Sequence, residues 1–362
     1  MSSELPQKKR LPYLDWARGF AAVIMLQGHV FHSFTSTELR SGPAYVLSQF
    51  IGGFVPALFL FLTGITLGFM MVSRERKGET SSRRVWYAAK RGAYLLGLAF
   101  LFRLQLWVFA WPGSPWTDLF KVDILNLMGA GIIVMSVMAV FSTAERVRLC
   151  GILGAAIAFV SPFVSQLDWS QAPALVKHYI APDYNYFSFF PWASFLAFGI
   201  SGGSLLRLAK SEDMNRLMQW AVLLGLVLIT ASSYFSQFPY SLYSQSEYWL
   251  NSPWLQFNKL GVILFTMAFA YLWTAHATRG WSWVQQFGMT SLLVYWVHIE
   301  LVYGRWFGAF HTKLNVAQTL AVAVVVILLM LGLSVLRTNW KNWKTMMPWA
   351  GFRISLERAS GD

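Results

Sequence analysis

Asp15, Arg18 and His29 share one apolar stretch, LPYLDWARGFAAVIMLQGHVFHSF, at a spacing that a helix would gather onto a single face. Asp15 and Arg18 are three residues apart and can pair there. From Arg18 to His29 is eleven steps of about 100°, which return to within about 20° of the start and rise about 16 Å. The stripe would carry a carboxylate–guanidinium pair low down and an imidazole about three turns higher, with Ala22 and Met25 between them. His32 lies one turn beyond His29. An imidazole, whose ordinary pKa is about 6.5, can take a proton from a hydroxyl at neutral pH. His29 has two readings, a core histidine bonded to a neighbouring helix or a reacting group. The arginine on the same stripe favours the second.

Other apolar runs hold further polar groups. Lys90 and Arg91 lie near one end of the third run and Arg103 near the other. The first two fit snorkelling to an interface or phosphate binding. Arg103 needs an acceptor, and Asp123, which opens the run VDILNLMG, is the candidate. Asn126 shares a face with Asp123. In FGMTSLLVYWVHIELVYG, His298 and Glu300 point about 200° apart, so only one can face a given site. Ser291, Tyr295 and His298 form one polar stripe, while Glu300 goes with Trp296 and Tyr303. His298 is expected to face the same cavity as His29, with Glu300 in a supporting or structural role. Lys259 is another buried-charge candidate, close to the end of its run.

The elements that must position these residues are membrane helices. Of 362 residues, 56% are hydrophobic and only 12% charged, about half the charged share of a soluble domain. Apolar runs at roughly 14–34, 45–72, 85–110, 123–141, 149–166, 190–208, 216–234, 255–275, 284–304 and 314–336 can each cross a core of about 30 Å. The expected fold is an all-α polytopic transmembrane bundle of about ten spans. The expected organisation is a tail at 1–13, a membrane domain at 14–336 and a basic tail at 337–362. With the N-terminus inside, nineteen Lys and Arg fall in inner segments and five in outer ones, so both termini are expected to be cytoplasmic. No cleaved signal peptide is expected, because the first apolar run is long enough to span and no small-residue cleavage site follows it. The net charge of +13 is distributed as the positive-inside rule requires, which argues against nucleic acid as a partner. The lone Cys150 can form no internal disulfide. His29 and His32 alone make a weak zinc signal, and no metal is expected. There is no phosphate loop, dinucleotide fingerprint or nucleophile elbow.

Two long outer loops, Asp168–Phe190 and Phe235–Trp254, are rich in Tyr, Trp, Ser, Asn and Gln. They fit either a sugar-like acceptor or the anchoring of helix ends at the interface. After Arg337, Trp340, Trp343 and Trp349 among basic residues read as an amphipathic segment on the inner surface.

The segment LDWARGFAAVIMLQGH, with an arginine, ten residues and then a histidine, resembles the first helix of the multipass acyltransferase family 3. Together with FLFLTGITLGF, VDILNLMG and FGMTSLLVYWVHIELVYG it resembles the heparan-α-glucosaminide N-acetyltransferase-like branch of that superfamily, over most of the chain. The resemblance implies transfer of an acyl group, most simply acetyl from acetyl-CoA, to a hydroxyl or amine of an extracytoplasmic glycan or small molecule. It implies Arg18 as a donor-positioning residue and His29 as general base or acyl-accepting residue. Physical reasoning adds Lys90 and Arg91 for the CoA phosphates, Arg103 or Asn126 for the oxyanion, and His298 and Asp123 as further catalytic candidates. The expected location is a bacterial inner membrane, in contact with lipid, and a homodimer is compatible with the sequence. Two other classes remain: a proton-coupled transporter, which would more often show inverted repeats, and a non-catalytic scaffold.

Overall fold

The computed structural model describes residues 11–239, 242–277 and 280–346, with side chains described as far as residue 340. Among them the helices are α1 (Pro12–Phe34), α2 (Pro43–Gly52), α3 (Val55–Arg76), α4 (Ser81–Ala110), α5 (Ile124–Met135), α6 (Thr143–Ser165) and α7 (Ala174–Ile180). They continue as α8 (Phe189–Leu208), α9 (Met214–Ser236), α10 (Pro253–His276), α11 (Trp283–Met289), α12 (Ser291–Tyr303) and α13 (Val316–Met346). Among the described residues, eight segments are long and apolar enough to cross a membrane, so the protein is an all-α polytopic helix bundle. The ten expected runs all fall on helix. The first is too polar to count among the eight, and the ninth is split between α11 and α12.

Three boundaries differ from expectation, each for a local reason. The second run breaks at Gly52–Phe54, where two glycines precede Pro56 at the first turn of α3. Glycine weakens a helix interior and proline suits its first turn. α6 begins six residues earlier than expected, because Ser142 and Glu145 form a reciprocal capping box. α13 continues to Met346 instead of ending near residue 336. Of the expected basic tail, residues 347–362, Trp349 among them, lie outside the described residues, as do Lys8, Lys9 and Arg10.

The chain divides into two compact units. The first draws on Met1–Gly52 and Thr278–Asp362 and contains α1, α2 and α11–α13. The second is Gly53–Ala277 and contains α3–α10.

In the first unit, α1 is buried almost all round. It crosses α11 at two glycines: a methyl group on Gly19 would overlap the Val284 carbonyl oxygen, and one on Gly288 would overlap the Asp15 carbonyl oxygen. Small residues let membrane helices approach to backbone contact in this way. The chain turns at Thr290 into α12. His29 meets His298 and Ser33 meets the Val302 carbonyl, each pair four residues after the last, so α12 runs in the same direction as α1. Gln286 ties α11 to α13 through Ser334 and Thr338, at 3.0 Å to both hydroxyls. Backbone pairing of residues 312–314 with 33–36 closes the other end.

In the second unit, α3 and α8 touch through Gly64 and Gly68 on one helix and Gly199 and Gly203 on the other. Arg146 is fully buried. Its Nη2 lies 2.5 Å from Glu75 Oε2, and it also donates to the Phe141 carbonyl and the Thr143 hydroxyl. Glu75 in turn accepts from the Thr143 backbone at the start of α6, where a carboxylate opposes the positive end of the helix.

Three stability tests follow. Gly19→Leu lowers the melting temperature sharply, with a loss above the roughly 1–3 kcal/mol of ordinary overpacking. Gly97→Ala, where an added methyl meets nothing within 4 Å, gains up to about 1 kcal/mol. Glu75→Gln strands the buried Arg146 and costs about 3–5 kcal/mol in chemical denaturation. Equal melting temperatures for Gly19→Leu and the parent protein would contradict the crossing.

Candidate active site

The first unit brings together the two histidines that the sequence placed on separate runs. Nδ1 of His29 is 2.8 Å from Nε2 of His298, and Nδ1 of His298 is 2.8 Å from the Val294 carbonyl oxygen. The ring planes differ by 15° and the centroids are 5.1 Å apart, which fits two imidazoles in line through a nitrogen–nitrogen hydrogen bond better than a face-to-face stack. His298 is fully buried, and His29 is partly exposed.

The bonding partners fix the protons. A carbonyl oxygen can only accept, so Nδ1 of His298 carries a hydrogen. In the neutral ring Nε2 of His298 is then an acceptor, and Nδ1 of His29 must donate to it. The lone pair of neutral His29 is left on Nε2, for which the described residues provide no hydrogen-bond partner. Protonation states assigned in this way follow from the network. Donation from Nδ1 to an acceptor raises the basicity of the opposite nitrogen, as it does for histidines whose far nitrogen performs chemistry.

Around this pair, the Tyr303 ring meets His29 edge-on at 5.5 Å, and its hydroxyl is 3.2 Å from Nδ1 of His32. The Tyr295 ring packs edge-on against His298 at 5.8 Å. Arg40 donates to the His32 carbonyl at 2.8 Å, satisfying an acceptor in the last turn of α1. Gln27 and Gln49 bond across α1 and α2, the latter to the Gly28 carbonyl at 3.0 Å. Sequence reasoning missed Tyr303, which it grouped with Glu300. The missed Val294 carbonyl is one helical turn before His298, a position legible in principle. Glu300 accepts from Trp306 Nε1 at 3.0 Å and so has a structural partner.

Asp15 and Arg18 pair at 3.3 Å in the first turns of α1, where a carboxylate suits the helix N-terminus. His29 is eleven residues further along the same continuous helix, which keeps Arg18 and His29 about 16 Å apart along its axis.

The remaining candidates belong to the second unit. Asp123 is the N-cap of α5 and accepts from the backbones of Leu125 and Asn126, while Asn126 Oδ1 accepts from the Asp123 backbone. Asp123 Oδ2 is 3.0 Å from Arg103 Nε, and Asn126 Nδ2 donates to the Tyr179 hydroxyl at 3.1 Å. Asp123 and Asn126 are thus hydrogen-bonded to the start of α5, and Arg103 of α4 stands against Asp123 Oδ2 as an ion pair. Lys90 is exposed on α4, and Arg91 is half-buried with Nη2 3.2 Å from the Thr66 hydroxyl.

Fold and site together define a polytopic membrane protein with an imidazole pair set into its helices. A family model described as heparan-alpha-glucosaminide N-acetyltransferase, catalytic, matches residues 10–235, and the chain belongs to that family of membrane acetyltransferases acting on glycans. The match includes Asp15, Arg18 and His29, and His298 lies beyond it. No curated protein matches the chain.

The proton assignment is testable by 15N spectroscopy of histidine-labelled protein near neutral pH. Nδ1 of both rings should show the protonated-type shift and Nε2 of both the unprotonated-type shift. A protonated Nε2 on neutral His29 would contradict the network.

Proposed function

We propose that the protein transfers an acetyl group from acetyl-CoA to a hydroxyl or amine of a glycan or small molecule on the extracytoplasmic side of a bacterial inner membrane, with both termini in the cytoplasm. Wider kinship with acyltransferase family 3, carried by the Arg18–His29 interval, belongs to the same reading. The observation that carries it is the His29–His298 hydrogen bond, which leaves a neutral, partly exposed imidazole with its lone pair on Nε2.

In the proposed reaction, Nε2 of His29 takes the proton of the acceptor hydroxyl or amine. The acceptor oxygen or nitrogen bonds to the thioester carbonyl carbon, and the carbon–sulfur bond breaks. The proton on Nε2 passes to the departing sulfur, giving free CoA and restoring neutral His29. While His29 is charged, its Nδ1–H remains bonded to Nε2 of His298, so His298 orients the ring and shares the positive charge. Arg18 is assigned to positioning the donor. Lys90 and Arg91 are assigned to its phosphates, as cations suited to that charge. Asp123 and Asn126 are assigned to holding the start of α5, which they cap reciprocally, with Arg103 as the counter-ion of Asp123.

Purified protein in liposomes, given acetyl-CoA and membrane extract, should form an acetylated product. His29→Ala should lower the rate by about 10²–10⁴-fold with expression intact. Unchanged turnover would overturn the role of His29. Acceptor flux across the liposome without acetylation would overturn the transferase reading as a whole.

A further inference from the structure

A base at His29 meets only half of the demand of acetyl transfer. The thioester oxygen gains negative charge as the acceptor bonds to the carbonyl carbon, and a hydrogen-bond donor must meet it. Several donors beside His29 in the first unit are spent. Both nitrogens of His298 are committed, Nδ1 to the Val294 carbonyl and Nε2 to His29. Ser33 donates to the Val302 carbonyl at 2.8 Å, and Gln49 donates to the Gly28 carbonyl at 3.0 Å. Gln27 and Ser48 bond reciprocally between α1 and α2. Arg40 turns to the end of α1, where it donates to the carbonyls of His32 and Thr35.

Tyr303 is placed differently. Its ring is in edge contact with His29, centroids 5.5 Å apart, and its hydroxyl is 3.2 Å from Nδ1 of His32. Ser33 and Ser48 are buried, whereas Tyr303 is 39% exposed and His32 is exposed as well. The Tyr303–His32 pair therefore stands on the open side of the imidazole pair, where a substrate can reach it. The phenol can leave His32 without stranding a buried group, because water can take its place on an exposed imidazole. His32 can also aim the phenol. In the tautomer with a hydrogen on Nδ1, it donates to the Tyr303 oxygen and leaves the phenolic hydrogen for another acceptor.

We propose that Tyr303 is the oxyanion donor of the acetyl transfer and that His32 positions its hydroxyl. The assignment rests on the transferase reading of this site. As the acceptor oxygen or nitrogen bonds to the carbonyl carbon, an electron pair of the carbon–oxygen double bond moves onto oxygen, and the Tyr303 hydroxyl donates a hydrogen bond to it. When the carbon–sulfur bond breaks, that pair re-forms the double bond and the hydroxyl is released. Tyr303 keeps its proton throughout, so proton transfer through Nε2 of His29 is unaltered.

The test is steady-state kinetics of Tyr303→Phe and His32→Ala in liposomes, beside the parent protein and His29→Ala. Tyr303→Phe keeps the ring against His29 and removes only the hydroxyl. It should lower kcat by about 10²–10³-fold. KM for acetyl-CoA and the melting temperature should stay close to those of the parent, because the bond forms only in the transition state. His32→Ala should lower kcat by roughly two- to tenfold, the worth of one replaceable hydrogen bond. Parental kcat in Tyr303→Phe, a loss confined to KM, or a loss in His32→Ala as large as that in Tyr303→Phe would each overturn the assignment. With an active parent and an inactive His29→Ala, any of these results would leave the transferase reading standing. A parent that forms no acetylated product would overturn both.

Discussion

The 2.8 Å bond between His29 and His298 is the contact on which the chemistry of the first unit depends. It exists because α1 and α11 can cross at backbone contact, with glycine on both sides, and because the chain turns at Thr290 to bring α12 alongside α1. Gln286 and the 312–314 pairing then fix the two ends of the same assembly. A side chain at Gly19 or Gly288 would push the helices apart. The two imidazoles would lose each other, although neither glycine is near them in sequence.

A low-dielectric setting explains how the other polar groups are arranged. Within a membrane bundle an unpaired charge is costly, so charges are paired or serve a purpose. Asp15–Arg18, Arg103–Asp123 and Glu75–Arg146 follow the first course. Glu75–Arg146 clamps the ends of α3 and α6, and Arg103–Asp123 fixes the start of α5. His29 is the exception in the first unit, since one nitrogen is committed and the other is left without a partner. In the second, Lys259 lies over the face of Trp192, 4.6 Å from the ring centroid.

Much of this was legible in the sequence. The apolar runs found the helices, because every backbone group in a bilayer must be satisfied within its own helix. Helical arithmetic correctly separated His298 from Glu300, which bonds to Trp306 instead. The i, i+3 spacing found the Asp15–Arg18 pair, and the need of Arg103 for an acceptor found Asp123. The breaks at Gly52–Phe54 and at Ser142 carried ordinary turn and capping signals that hydropathy alone overrides. The burial of Arg146 and the approach of Tyr303 to His29 were not legible, because each depends on partners brought close only by folding. The same holds for the register that aligns Nδ1 of His29 with Nε2 of His298. The sequence supplied the residue types, and the glycine crossing supplied the alignment.

The central claim is that neutral His29, held by His298, accepts the proton of the acceptor. The pH profile of kcat/KM for acetyl transfer tests it most directly, compared between the parent protein and His298→Gln. Because only the neutral imidazole can accept a proton, activity should fall on the acid side through a single ionisation. Replacing His298 should move that limb along the pH axis as well as lowering the plateau. A limb that stays in place in His298→Gln, or a profile flat across the range in which histidine titrates, would contradict the account.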